Sequence, residues 1–407
     1  MIEQPTVLRG RTVLEEEILE DGAIVLDGAR IHAVGPAERM GAGDRELAAT
    51  VRATPRSDLT FLPGFVDVHC HGGGGASFPD ATTREEVLTA VREHRRHGTT
   101  SLVASCVTAA PEVLLRSADL LATLADEGEL AGIHFEGPFV SSARCGAQDP
   151  AHIIEPDPAL TLELMRASRG HAVTMTLAPE KARAYGPGSV AEVLIGNGAL
   201  PSWGHTDSDP VHARAALDYS RAELGAAPGA RSERATVTHL FNGMRPLHHR
   251  DPGPIAEFLS AAARRGAIVE LICDGVHLDP SVVRDVLEIV GRDQCVLITD
   301  AMAAAGMADG EYQLGPQAVT VHDGVARLSG GTAIAGGTSH LLDCVRVAVS
   351  RAGIPLVDAV YMASRQGARV LGDERIGRLA PGCRGDVVAV DADLRPVTVW
   401  RAGEVVD

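Results

Sequence analysis

Lysine is all but missing from this chain: of 37 basic residues, Lys181 is the one lysine and the rest are arginines. Positive charge is short overall, with 54 acidic residues and a net charge of −17. That balance argues against a general binder of nucleic acid or anionic membrane, since both need a positive field. It leaves room for an anionic small substrate, which needs only one local cationic pocket. Long apolar runs are missing too, and no window approaches the ~20 residues of a membrane span. The opening stretch, MIEQPTVLRGRTVLEEEILEDG, lacks the basic region and apolar core of a secretory signal. The seven cysteines, at 70, 106, 145, 273, 295, 344 and 383, form no CxxC pair and are odd in number. This usage suits a reducing cytoplasm rather than a disulfide framework. There is no solenoid repeat and no low-complexity tract.

Against these absences stands residues 61–75, FLPGFVDVHCHGGGG. The apolar, β-branched run reads as a strand. With a side-chain period of two, His69 and His71 face one way and Cys70 the other. Two imidazoles on one face at a strand end are able to bind one metal ion together. The glycines that follow allow a sharp turn and close approach of a ligand to the backbone.

The middle of the chain alternates strands with amphipathic helices. Strands are expected at 64–71, 99–107, 131–136, 172–178, 201–206, 235–241, 268–273 and 295–300. Helices are expected at 83–97, 111–127, 159–169, 189–197, 254–265 and 280–290, the first opened by a capping box of Thr82 and Glu85. Eight such alternations over about 250 residues match a (β/α)₈ TIM-type barrel. A doubly wound sheet fits less well, because no GxGxxG follows a strand. Residues 1–60 and 376–407 are both β-rich and broken by glycine. They are expected to pair as a small β-sandwich domain, leaving 61–375 as the barrel. The segment 40–58 reads as polar and irregular.

In a barrel enzyme the chemistry sits at the C-terminal ends of the strands. Here strand after strand ends in a metal-type or acid/base residue: His69 and His71, Glu136 in HFEGPF, His205 in SWGHT, His239 in THLFN, Asp274 and His277 in CDGVH, and Asp300 in ITDA. One such residue is commonly a cap or a core polar group; this many at corresponding places points to a site. Nitrogen and carboxylate oxygen donors without thiolate suit zinc, iron(II), manganese or cobalt. The set exceeds the three or four protein ligands of one catalytic zinc. Two ions bridged by one carboxylate would use it fully. A carboxylated lysine, the bridge in many paired-metal hydrolases, would have to be Lys181, so Glu136 is the better bridging candidate. Asp67 and His134 lie one layer deeper and read either as orienters of the ligands or as core polar groups.

The motifs LPGFVDVHCHG, HFEGPF, GHT, THLFNGM, DGVH and ITDA follow the order and approximate spacing of the N-acetylglucosamine-6-phosphate deacetylases of the amidohydrolase superfamily, which this chain resembles over nearly its whole length. The resemblance implies a metal-dependent barrel with a β-sandwich built from both termini. It implies one or two divalent ions per subunit, zinc first and iron, manganese or cobalt as alternatives. Glu136, His205 and His239 would hold the principal ion. His69 and His71, with Glu136 bridging and Asp300 nearby, would hold a second. Asp300 would be the general base. Asn242, Gly243 and His277 would meet the sugar phosphate, and Arg250 would reach the neighbouring active site of a homodimer to bind phosphate. The family commonly has a histidine twelve residues after the bridging glutamate, facing the acetyl carbonyl. Here that loop ends in Ala147 and Gln148, and Gln148 donates a hydrogen bond but carries no proton. The implied reaction is hydrolysis of N-acetyl-D-glucosamine 6-phosphate in a cytoplasmic amino-sugar or cell-wall recycling route. The alternatives are N-acetylgalactosamine 6-phosphate or another N-acyl substrate, or a non-catalytic protein of the same fold.

Overall fold

A computed structural model describes residues 5–41 and 45–407. Eight strands, Phe65–Cys70, Thr99–Cys106, Gly132–Phe135, Ala172–Leu177, Leu200–Trp203, Ala235–Val237, Ala267–Ile272 and Cys295–Ile298, form one parallel sheet in chain order. Each is buried along its whole length. That explains their near-continuous apolar runs, as expected of a sheet covered on both faces. The sheet curls into the expected barrel until its first and eighth strands meet. No strand ladder joins that pair. Asp67 on the first strand instead accepts the Thr299 hydroxyl at 2.6 Å. Just beyond, Asp300 N donates to His69 O at 3.0 Å and His71 N to Ala301 O at 2.7 Å. Burial pushes the Asp67 carboxyl up to about 7 against the hydrogen bonds it receives from Thr299 and His69.

Both ends of the chain meet in a seven-stranded sheet. Its order is Glu404–Val405, Pro396–Arg401, Val387–Val390, Thr60–Pro63, Thr6–Val13, Ile18–Asp27 and Arg30–Pro36. All neighbours there are antiparallel except Thr6–Val13 with Thr60–Pro63. A further three-stranded antiparallel sheet, Gly310–Leu314, Gln317–His322 and Val325–Leu328, follows the eighth barrel strand. It packs Leu314, Val319, Val321 and Ala326 against Val107 and Met302. No described helix is long and apolar enough to cross a membrane.

Several local readings need correction. The first barrel helix, Arg84–Arg96, starts one residue later than its box predicted: Thr83 and Glu86 form the box, and Glu86 also accepts from Thr82 N. The run TTREE holds the pattern twice, so spacing alone does not choose between them. The helix Arg45–Ala53 lies in the stretch read as irregular, of which residues 42–44 lie outside the described part. The helix Pro210–Ala226, unanticipated, is capped by Asp209, whose side chain accepts from His212 N.

His94, near the end of the first barrel helix, is wholly buried, and its Nε2 donates to Gly72 O at 2.8 Å. Burial, reinforced by the nearby His340 charge, brings its pKa down to about 3. The unfolded chain therefore takes up this proton first. The stability His94 contributes is complete above about pH 6.5 and drains away as pH falls toward 3. Between pH 7.5 and 5 the loss is on the order of 2 kcal/mol. Urea midpoints of wild type and His94→Gln at those two pH values check it: the variant should lose less on acidification, and equal losses would discard the assignment.

Candidate metal centre and active site

The site is assembled at the C-terminal mouth of the barrel. His69 lies within the first strand and His71 just past it. Glu136, His205, His239 and Asp300 stand one or two residues beyond the ends of their strands. Three of these leave their strands with left-handed backbone: φ is 44° at His205, 23° at His239 and 48° at Asp300. Such positions cost on the order of 1–3 kcal/mol each for a non-glycine residue and gather at functional sites. Gly243 has φ 60°, and a Cβ there would stand 2.6 Å from His205 Nδ1, so only glycine fits beside that imidazole.

Glu136 is the centre. Its Oε1 lies 2.7 Å from His239 Nε2 and 3.0 Å from His205 Nε2. Its Oε2 lies 3.1 Å from His71 Nε2. Asp300 Oδ1 lies 3.2 Å from His71 Nε2 and 3.4 Å from His69 Nε2. The donor atoms thus form two groups, His69–His71–Glu136–Asp300 and Glu136–His205–His239, that share one carboxylate.

On three of the four imidazoles the other ring nitrogen is tied down, while His239 Nδ1 is buried with no hydrogen-bond partner among the described residues. His69 Nδ1 donates to Glu270 Oε2 at 3.1 Å, His71 Nδ1 to Ser105 O at 3.2 Å and His205 Nδ1 to Arg144 O at 2.8 Å. Each bond leaves Nε2 as the free lone pair, the usual state of a metal-ligating imidazole.

Electrostatics supports a cation here. Burial works to raise the Glu136 pKa, but the imidazoles of His205, His239 and His71 outweigh it and hold it well below the ordinary range. Asp300 is held low in the same way, against burial, mainly by His71. Burial lowers His71, yet the Asp300 and Glu136 carboxylates overcome it and hold that pKa up at about 10. The two carboxylates thus concentrate negative charge where the Nε2 atoms converge. The N/O donor set fits a divalent ion in that place.

A cavity of about 330 Å³ opens over the cluster, room for a small ligand. Its lining includes His71, Glu136, His205, His239 and Asp300. It also includes Ala147, Gln148, Asn242, Gly243 and His277. His69 lies beneath, fully buried. His277 Nδ1 is held by Asp274 Oδ2 at 2.7 Å. Of the residues predicted from sequence, Arg250 alone stays apart: it is exposed and does not line this cavity. Lys181 is far from bridging anything, paired with Glu155 at 2.7 Å.

Gln148 lines the cavity and also reaches the cluster. Its Nε2 donates to Glu136 Oε2 at 2.6 Å. Of the two deeper residues, Asp67 closes the barrel seam. His134 bonds Thr174 Oγ1 at 2.7 Å and packs its ring 4.3 Å from that of His69. Sequence reasoning missed Glu270, buried on the seventh strand, which holds both His69 Nδ1 and the main-chain N of His239. Its signal was present: a lone carboxylate in the apolar run AIVELI.

The Amidohydrolase family model matches residues 60–196 and 234–406. The chain is 32% identical over 403 residues to N-acetylglucosamine-6-phosphate deacetylase of Bacillus subtilis, covering 97% of this chain and 94% of that one. It is 31% identical to N-acetylgalactosamine-6-phosphate deacetylase of Escherichia coli O157:H7, covering 98% of both. A variant of the Mycobacterium smegmatis N-acetyl-D-glucosamine-6-phosphate deacetylase, solved with N-acetyl-D-glucosamine-6-phosphate, superposes with a TM-score of 0.87 at 38% identity and 99% coverage of both chains. With the shared fold, the cluster at the strand ends and these matches, the chain belongs to the amidohydrolase superfamily, within its N-acetylglucosamine-6-phosphate deacetylase family.

Proposed function

We propose that this site removes the acetyl group of N-acetyl-D-glucosamine 6-phosphate, giving D-glucosamine 6-phosphate and acetate. The observation that carries the reading is the pair of N/O clusters sharing Glu136, with Asp300 at the cavity floor. Glu136, His205 and His239 would hold one ion, and His69, His71, Glu136 and Asp300 a second. Zinc is our assignment; iron(II), manganese and cobalt suit the same donors. Bound there, a divalent ion supplies Lewis acidity, which brings the pKa of a water down toward about 7 and polarises the acetyl carbonyl.

The protein's own groups do the rest. Asp300, held ionised, accepts the water's proton as the oxygen attacks the acetyl carbon. It then returns that proton to the leaving amine, acting as base and then as acid. Ala147, Asn242, Gly243 and His277 shape the sugar pocket. None of the described residues lining the cavity is Lys or Arg. The phosphate therefore needs a cation from elsewhere, and we assign it to Arg250 of a second copy in a homodimer. A phosphorylated substrate and seven cysteines free of disulfides support the reading of a cytoplasmic enzyme. The products would feed amino-sugar breakdown or cell-wall recycling.

Acetate release from N-acetylglucosamine 6-phosphate, its unphosphorylated form and the galactose epimer, with and without chelator, tests this. Chelator-sensitive release that depends on phosphate is expected; none from any of the three would discard the reading. The epimer is a real second reading, since relatives of both names match at 31–33% identity. In the same assay Arg250→Ala should raise KM for the phosphorylated sugar about 10- to 100-fold, as loss of a charge-assisted hydrogen bond does. An equal rise for the unphosphorylated sugar would return Arg250 to a structural role.

A further inference from the structure

Gln148 follows Glu136 by twelve residues, on a loop that lines the cavity. It is only 4% exposed. Both ends of its amide are committed. Thr108 N donates to its Oε1 at 2.7 Å, and its Nε2 donates to Glu136 Oε2 at 2.6 Å. A main-chain N–H only donates and an ionised carboxylate only accepts, so the two partners fix which way the amide faces. Thr108 closes the ring: its hydroxyl donates to Glu136 O at 3.1 Å. Glu136 N is itself bonded to Cys106 O at 3.0 Å, at the end of the second strand. On the loop side, Gln148 N donates to Cys145 O at 2.9 Å, and Ala147 packs into the apolar cluster under the three-stranded sheet.

What this ring controls is the rotation of one carboxylate. Glu136 Oε1 faces His205 and His239, and Oε2 faces His71. Turning the carboxylate about its last bond would spoil both sets at once. Among the described residues, nothing else touching Oε2 is a neutral donor with its far end anchored to main chain. We propose that Gln148 is a positioning residue for the metal-holding carboxylate: it locks Glu136 so that one oxygen serves each group of histidines, and it is not the partner of the substrate's acetyl carbonyl. The proposal rests on the reading of the cluster as a metal centre.

The test measures zinc affinity without substrate, by competition with a chromophoric chelator, for wild type, Gln148→Leu and Gln148→Asn. Leucine removes both bonds at similar size. Asparagine keeps the amide but is one methylene too short, and it serves if the leucine variant does not fold. The dissociation constant for zinc should rise about 10- to 100-fold in both, as when a ligand's supporting partner is lost. Turnover of N-acetylglucosamine 6-phosphate by the variants should climb with added zinc over a range where wild type is already saturated. Unchanged zinc affinity overturns the proposal, whether turnover falls (a carbonyl contact after all), the metal-free melting temperature falls (a purely structural role) or nothing changes. Failure of wild type to bind zinc overturns it as well. If wild type binds zinc but releases no acetate, the deacetylase reading fails while the affinity comparison still decides the role of Gln148.

Discussion

Asp300→Asn should leave a folded protein that hydrolyses N-acetylglucosamine 6-phosphate about 10²- to 10⁴-fold more slowly, the span that positioned acid–base groups supply. The fold is expected to survive for local reasons. The backbone of residue 300 is tied by its N–H to His69 O and by its carbonyl to Gly337 N. Neither bond uses the side chain. Asparagine also tolerates the left-handed backbone found there, at φ 48°, better than most residues. What is lost is specific. An amide has no basic oxygen able to take a proton from water and none to return to the amine. Steady-state acetate release, with metal content and melting temperature measured alongside, separates the chemistry from the scaffold. A folded, metal-loaded variant within tenfold of wild-type turnover would remove Asp300 from the proton path.

Glu136→Gln should act earlier, on the metal itself. The carboxylate stands among three imidazoles and the Gln148 amide, and it is the sole atom group shared by both donor clusters. Replacing it with an amide keeps the shape but removes the charge that balances a divalent ion. It also sets one N–H₂ either donor against donor at Gln148 Nε2 or toward the imidazole lone pairs that would otherwise face the ion. Loss of a supporting partner alone costs 10- to 100-fold in metal affinity, so loss of this ligand should exceed about 100-fold. Acetate release should fall to background. Equilibrium dialysis against zinc, followed by metal analysis and the same assay, decides it. A variant that keeps wild-type zinc content and turnover would mean that Glu136 does not hold the ion.

Much of this was legible because barrel strands carry their message in simple periods. The parity of His69 and His71, and the habit of strands ending in His, Glu or Asp, needed no knowledge of which strand neighbours which. Glu270 was harder. Its alternation is readable, but its hold on His69 depends on curvature that brings the seventh strand's side chain across the barrel to the first. Asp67 was ambiguous for a similar reason, since its partner Thr299 is set by where the sheet closes. Gln148 was read from the family resemblance, as the residue standing where a substrate-facing histidine is common; its bonds to Thr108 N and to Glu136 have no signature in sequence. The helix Leu356–Ala363 escaped because Ala359–Ala363 are all buried, which erases the one-sided apolar stripe that marks a surface helix. The three short strands after Asp300 escaped because their alternation is brief and partly exposed.

The barrel seam bears on how the chain is made. Asp67 meets Thr299 across 232 positions of sequence, and Thr60–Pro63 pairs with Val387–Val390 across more than 300. On a ribosome the first strand emerges early and must wait for its last neighbour. Until residue 300 is out, His69 and His71 have no Asp300 beside them, and one edge of the growing sheet stays bare. Contacts this distant are slow to form, and unpaired edges invite aggregation while they last. Closing the ring and bringing together the proposed ion-holding residues are therefore one late event in biosynthesis. A nascent or truncated chain that stops before the eighth strand carries most of the proposed ligands but lacks Asp300.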